Sequence, residues 1–392
     1  MESERYLEPY IKKDLKEKMV FIGGPRQVGK TTLAKHLGES TYPQMQYLNW
    51  DNQDHRQNIL KGRFKSDASL VIFDEIHKYK GWKNLIKGYF DTHKDHLNIL
   101  VTGSARLDLY RRGGDSLMGR YHYFRLHPFS VSETLGKPPE LDAFSALNFG
   151  DGSALDETIF KDLLRFGGFP EPFIKKEDRI VRRFHRERLE RLVKEDIRDI
   201  EAIRDLSSLE ILAQLLPEKV GSLFSLNSLR EDLQVTHKTL SHWVEVLERF
   251  YYHYRITPFA SSQIKSLRKE PKLYLWDWSQ IEDEGARLEN LIASHLLKTV
   301  HFLQDWEGLD TNLHFIRDNE GREVDFLVTI NKKPWFAVEV KNGSQEISKP
   351  LLYFKEKLQL PLTYQVLTTP GLDFMQKGVR VMSASKFLTG LK

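Results

Sequence analysis

Residues Gly24-Pro25-Arg26-Gln27-Val28-Gly29-Lys30-Thr31 keep the spacing G-x-x-x-x-G-K-[ST], which suits the capture of a phosphate chain. The glycines let consecutive backbone N–H groups turn toward the phosphates, and a helix starting at the loop's end adds partial positive charge. Lys30 can reach the β- and γ-phosphates, and Thr31 can offer its hydroxyl to Mg²⁺. The chemistry expected of this loop, extended by Thr32, is binding of ATP with Mg²⁺.

Two acids complete that expectation. Leu70-Val71-Ile72-Phe73 runs into Asp74-Glu75. Asp74 would hold Mg²⁺ and Glu75 would polarise the attacking water, so hydrolysis is expected rather than binding alone. Thr102 or Ser104, after the apolar run 97–101, is placed to sense the γ-phosphate, with Ser104 assigned to the nucleotide set. Arg106, Arg111, Arg112 and Arg120 follow. Arg120, just before the next apolar run, is the first candidate for an arginine that stabilises transition-state charge.

A second constellation lies near the carboxy terminus, in Asp325, Glu339 and Lys341. Residues 335–341 read as a strand whose period of two puts Glu339 and Lys341 on one face. Residues 324–330 read as the strand before it, and Asp325 shares that face only if the paired residue numbers sum to an even number. That parity calls for an odd-length loop, three residues being a common length. Two carboxylates and a lysine so placed suit metal-assisted phosphodiester cleavage. Glu289, at the edge of a helical stripe of Leu288, Leu291, Ile292, His295 and Leu296, could reach the same metal. The metal set expected is therefore Glu289, Asp325 and Glu339, with Lys341 catalytic. An E-x-K pair alone would be a surface ion pair; Asp325 and Glu289 favour the nuclease-type reading.

The elements that must hold these groups are legible in outline. Apolar runs at 19–22, 47–50, 70–73, 97–101 and 121–126, separated by helical or loop segments, predict five strands of a parallel α/β sheet. Ligands bind outside the carboxyl ends of such strands, where Gly24, Asp74 and Thr102 fall. Gly150-Asp151-Gly152-Ser153 signals a linker. A basic stripe of Arg179, Arg182, Arg183 and Arg186 lies at helical spacing, although Glu187–Arg191 and Glu190–Lys194 pairs suit a solvated lid helix. Between Leu226 and Arg255 the pattern predicts a helix-turn-helix with a wing, Thr236 capping a second helix whose Lys238, Thr239, Ser241 and His242 could meet phosphates or base edges.

Composition sets limits on this reading. The 392 residues allow two or three domains, and the net charge of +4 neither demands nor excludes nucleic acid. No cysteine is present, which removes disulfides and Cys-based zinc or redox sites. The start, Met-Glu-Ser-Glu-Arg, does not read as a signal peptide, and no apolar run approaches the ~18 residues of a membrane span. A cytoplasmic protein with no membrane partner is expected.

The motifs together resemble a group of bacterial and archaeal AAA-type ATPases that carry a C-terminal domain of unknown function. The matching stretches are residues 24–33 (GPRQVGKTTL), 70–75, 101–104 (VTGS), 116–120 (SLMGR), 167–171 (GGFPE), 272–277 (KLYLWD) and 321–341, with EVDFLV and VEVK. The resemblance implies an α/β fold with a P-loop AAA+ parallel-sheet core at 1–149, a helical lid or linker at 150–205 and a winged-helix-like domain at 206–262. A smaller α/β domain at 263–392, like a PD-(D/E)XK restriction endonuclease, completes it. The function expected is ATP hydrolysis controlling a nucleic-acid-directed, DNA-cleaving module; the alternative is an ATP-gated protein-binding switch with an inactive nuclease fold. DNA or another nucleic acid, a second copy of the chain and a protein partner are the candidate partners besides ATP.

Overall fold

The computed structural model describes residues 4–103, 117–198, 201, 203, 205–260, 270–343 and 345–392. Among them no helix is long and apolar enough to cross a membrane. The chain divides into two compact units, Met1–His127 with Arg249–Tyr251, and Pro128–Glu248 with Tyr252–Lys392.

The first unit is built on β1 (Met19–Gly23), β2 (Met45–Asn49), β3 (Leu70–Asp74), β4 (Asn98–Thr102) and β5 (Tyr121–Arg125). These five strands are parallel, in the order β2-β3-β4-β1-β5. The apolar runs form strands because both of their faces are covered: every residue of β1 and β3 is buried. Phe21, Phe73 and Val101 pack with Trp82 and Ile86 of the helix Trp82–His93 in one core. Because β4 lies between β1 and β3, the loop after β1 and the ends of β3 and β4 emerge side by side.

The second unit carries a run of helices followed by a sheet. Ser153 caps the helix Ala154–Phe166 through a reciprocal pair with Asp156, so the expected linker ends in a helix start. The helices Leu226–Leu233 and His237–Arg249 are separated by a turn at Gln234 (φ 52°), and the Thr236 hydroxyl accepts from Thr239 N at 3.1 Å. After them come β6 (His253–Pro258), β7 (Lys272–Leu275), β8 (Thr311–Arg317), β9 (Glu323–Ile330), β10 (Lys333–Lys341), β11 (Leu362–Leu367), β12 (Asp373–Gln376) and β13 (Val379–Ser383). Their order is β12-β13-β11-β10-β9-β8-β6-β7. The hairpin-like pair β6 and β7 forms the edge of this sheet, β6 also pairing in parallel with β8 at Thr257 and Pro258.

Residues 128–149, read from sequence as the end of the ATPase core, group with the second unit. Hydrogen bonds tie them there: buried Lys298 Nζ donates to Pro128 O at 3.1 Å and Ser130 Oγ at 2.9 Å, and Trp335 Nε1 to Ser145 O at 2.9 Å. Lys298 is also ion-paired with buried Glu133.

Candidate functional site

The loop after β1 turns on backbone that favours glycine. Gly24 has φ +132° and Gly29 φ +98°, with Gln27 between them at φ +64°. A Cβ on Gly24 would lie 2.4 Å from Leu126 O, so only glycine lets the loop pass the end of β5. Gly29 then starts the helix Lys30–Thr41 and, having no side chain, does not itself cap the first turn. Lys30 Nζ donates to Gly24 O at 3.0 Å and Pro25 O at 2.7 Å, across the mouth of the loop. Arg5, a residue no motif marks, pins the loop from behind by donating to Val28 O (2.9 Å) and His127 O (2.7 Å).

Asp74, at the end of β3, is the hub of this site. It is 4% exposed. Its Oδ2 accepts from Thr31 Oγ1 at 2.9 Å and from the Tyr47 hydroxyl at 2.6 Å, and its Oδ1 from Thr102 Oγ1 at 2.6 Å. Thr102 is fully buried, so its hydroxyl orients Asp74 and is not presented as a γ-phosphate sensor. Ser104, Arg106, Arg111 and Arg112 lie outside the described residues. Glu75 follows at φ +58°, a conformation costly for a side-chain-bearing residue, with Lys78 Nζ 3.5 Å and His77 Nε2 3.6 Å from its carboxylate. Burial pushes its carboxyl up, against the pull of Lys78 and Lys30.

Arg120 sits elsewhere. It precedes β5 at the amino end of the sheet, its carbonyl accepting from Met19 N at 3.1 Å, and its guanidinium grips Asp91 at 2.8 and 3.2 Å. A five-residue strand spans roughly 13 Å, so Arg120 lies at the opposite end of the sheet from its own loop.

In the second unit the hairpin reaches the expected parity by another route. The loop has two residues, Asn331 (φ 50°) and Lys332 (φ 63°), as in a type I′ turn, and it pairs Lys333 with Ile330, an odd sum. A bulge between Pro334 and Phe336 then shifts the register to Val338↔Phe326, an even sum. Asp325 thereby comes beside Glu339, its Oδ2 accepting from Val340 N at 2.8 Å. Glu339 Oε1 accepts from Ser348 Oγ at 3.0 Å and meets Lys341 Nζ at 2.8 Å, while its buried Oε2 makes no hydrogen bond. Burial first, and Asp325 second, push the Glu339 carboxyl up to about 7.

Glu289, on the helix Glu284–Asp305, accepts from the Tyr274 hydroxyl at 2.7 Å and is likewise pushed up to about 7 by burial and by Asp325. Between it and Asp325 stands a lysine that the sequence motif did not announce. Lys272 Nζ lies 2.7 Å from Glu323, 3.3 Å from Glu289 and 3.8 Å from Asp325. Burial works against its charge, but these carboxylates hold its pKa above the ordinary lysine range. Among the described residues no group of three or more His, Asp or Glu side chains stands ready to hold a metal ion. Of the three carboxylates expected from sequence, Glu289 and Asp325 thus face an ammonium, while Glu339 faces Lys341.

Residues 16–135 match a family model described as AAA domain. Residues 157–280 and 284–387 match two models described as Domain of unknown function (DUF8612) and Domain of unknown function (DUF4143). The chain is 25% identical over 301 residues to an uncharacterized protein of Methanocaldococcus jannaschii, covering 68% of this chain and 62% of that protein. It therefore spans less than two thirds of that relative's length. An uncharacterized protein of Mycobacterium tuberculosis is 21% identical over 388 residues, covering 92% and 81% respectively. The Walker-type ATPase paby2304 of Pyrococcus abyssi shares 13% identity at a TM-score of 0.40, over 69% of this chain and 92% of that one. The match to the AAA-domain model over residues 16–135 takes in the parallel sheet and the phosphate-type loop.

Proposed function

We propose that this chain is a cytoplasmic, Mg²⁺-dependent ATPase whose nucleotide state controls a nucleic-acid-directed module in residues 206–392. The observation that carries the ATPase reading is the convergence of Thr31, Tyr47 and Thr102 on Asp74 beside the helix start at Gly29. The loop N–H groups from Gly24 to Thr32 would bind the β- and γ-phosphates, and Lys30 would leave its two carbonyls to meet them. Thr31 and Asp74 would hold Mg²⁺, which supplies charge neutralisation between the phosphates. Glu75, its carboxyl raised by burial, would accept the proton of the attacking water. Arg120 would serve a neighbouring copy, which favours an oligomer.

Exposed Lys238 and His242 on the second helix of the pair, with the exposed arginines at 179, 182, 183 and 186, support nucleic acid as the module's target. The lysine amid Glu289, Glu323 and Asp325 favours a second reading, an ATP-gated protein-binding switch whose nuclease-like site does not cut. Steady-state ATP turnover with and without DNA tests the first claim. Turnover is expected, and Glu75→Gln should lower kcat about 100-fold or more while ATP still binds. Absence of turnover in every condition, or wild-type turnover by E75Q, would sink the ATPase reading.

A further inference from the structure

Lys272 is the first residue of β7, and its side chain is 3% exposed. Its backbone is fixed from two sides. Antiparallel pairing joins it to Ile256 of β6, while a bridge to Leu223 and the bond from Phe224 N to Pro271 O (2.8 Å) hold the other. The ammonium thus enters the carboxylate cluster on a rigid strand end. There it meets Glu323 at 2.7 Å, Glu289 at 3.3 Å and Asp325 at 3.8 Å, and the Tyr274 hydroxyl, two residues on, takes Glu289 at 2.7 Å. Gly221 (φ +74°) crosses so near that a Cβ there would lie 3.2 Å from the Glu289 carboxylate. A divalent ion needs its oxygen ligands at about 2.0–2.6 Å, and a lysine ammonium among the same oxygens repels it.

We propose that Lys272 is the resident cation of this cluster, binding Glu289, Glu323 and Asp325 in place of a divalent metal and closing the Glu289 side of the site to metal ions. The strand β7 is thereby ion-paired to β9 and to the helix Glu284–Asp305, and a metal could approach only from the side of Asp325 and Glu339, where Glu339 Oε2 has no hydrogen bond. The inference rests on the nuclease-like reading of these acids, but its readout is metal binding and not cleavage.

The test is calorimetric titration of the nucleotide-free full-length chain with Mn²⁺. Wild type and Glu289→Gln are expected to bind Mn²⁺ equally. Lys272→Met should gain a site at least tenfold tighter than any in wild type, lost again when Glu289→Gln is added, whereas Lys272→Arg should gain none. The proposal is overturned if Glu289→Gln weakens Mn²⁺ binding by the wild-type chain tenfold or more, or if folded K272M gains no site. Should K272M fail to fold, the wild-type against E289Q comparison still decides. DNA cleavage measured in parallel reports on the nuclease reading separately, since cutting that ignores Glu289→Gln agrees with a site closed on that side.

Discussion

The Tyr47 phenol donates at 2.6 Å to the same Asp74 oxygen that takes the Thr31 hydroxyl at 2.9 Å. When Thr31 turns to a nucleotide-bound cation, Tyr47 and Thr102 are what keep the carboxylate aimed. A hydrogen bond to a charged acceptor contributes about 1.5–3 kcal/mol, so Tyr47→Phe should lower kcat for ATP roughly tenfold or more and leave the affinity for ATP nearly unchanged. A raised KM with unchanged kcat would instead place Tyr47 in nucleotide binding. Lys30, Thr31, Asp74 and Glu75 were legible in the sequence because their chemistry is written in local spacing: glycines, a lysine, and acids closing an apolar run. Tyr47, Arg5 and Lys272 were not. Their partners lie 27, 23 to 122 and 17 to 53 residues away and are chosen by strand order, which no local pattern encodes.

Among the elements, the loop between β1 and the helix Lys30–Thr41 is the most constrained. Gly24 combines φ +132° with a Cβ position 2.4 Å from the Leu126 backbone oxygen. Gly24→Ala must therefore move the loop off the end of β5 and misalign its N–H groups. Binding of a fluorescent ADP analogue should weaken at least tenfold, with little change in the unfolding of the second unit. Unaltered affinity would show that the loop tolerates the shift. The central strands β1 and β3 were readable as apolar runs because every residue of each is buried in a parallel sheet, where alternation is not needed. The hairpin of β9 and β10 was readable only to its parity. The sequence permits Asp325 and Glu339 to share a face and suggests an odd loop, where the structure uses an even loop with a bulge. The choice falls on the bulge at Trp335, whose indole N–H is bound to Ser145 O, some 190 residues away in the chain.

At the scale of the whole molecule, the buried titratable groups set a pH dependence whose sign follows from their shifts. The Glu339 carboxyl, 4% exposed, rises from 4.5 to about 7. Between those values the folded chain keeps a proton that the unfolded chain has released, so stability from this group falls as pH rises through the window. Glu289, also raised to about 7, acts in the same direction. The buried imidazoles oppose them: burial pushes His253 down to about 4 and His295 to about 3. His295 is held neutral, accepting from Val131 N at 3.2 Å on Nε2 while Nδ1 faces Leu291 O at 2.8 Å. For these groups the unfolded chain binds the extra proton below 6.5, and stability rises with pH. These carboxyls and imidazoles act with opposite slope in the wild type between about 4.5 and 6.5, so its own profile separates neither. A difference measurement separates them. Glu339→Gln removes one carboxyl and leaves the histidines in place. The stability of E339Q relative to wild type should therefore grow by roughly 1 kcal/mol per pH unit from about 4.5 to about 7, then level off. Urea denaturation of both proteins from pH 4 to 8.5, followed at the transition of the second unit, measures it. A difference that is constant or that shrinks with rising pH would mean that Glu339 is ionised in the folded chain throughout, with Lys341, 2.8 Å away, outweighing its burial.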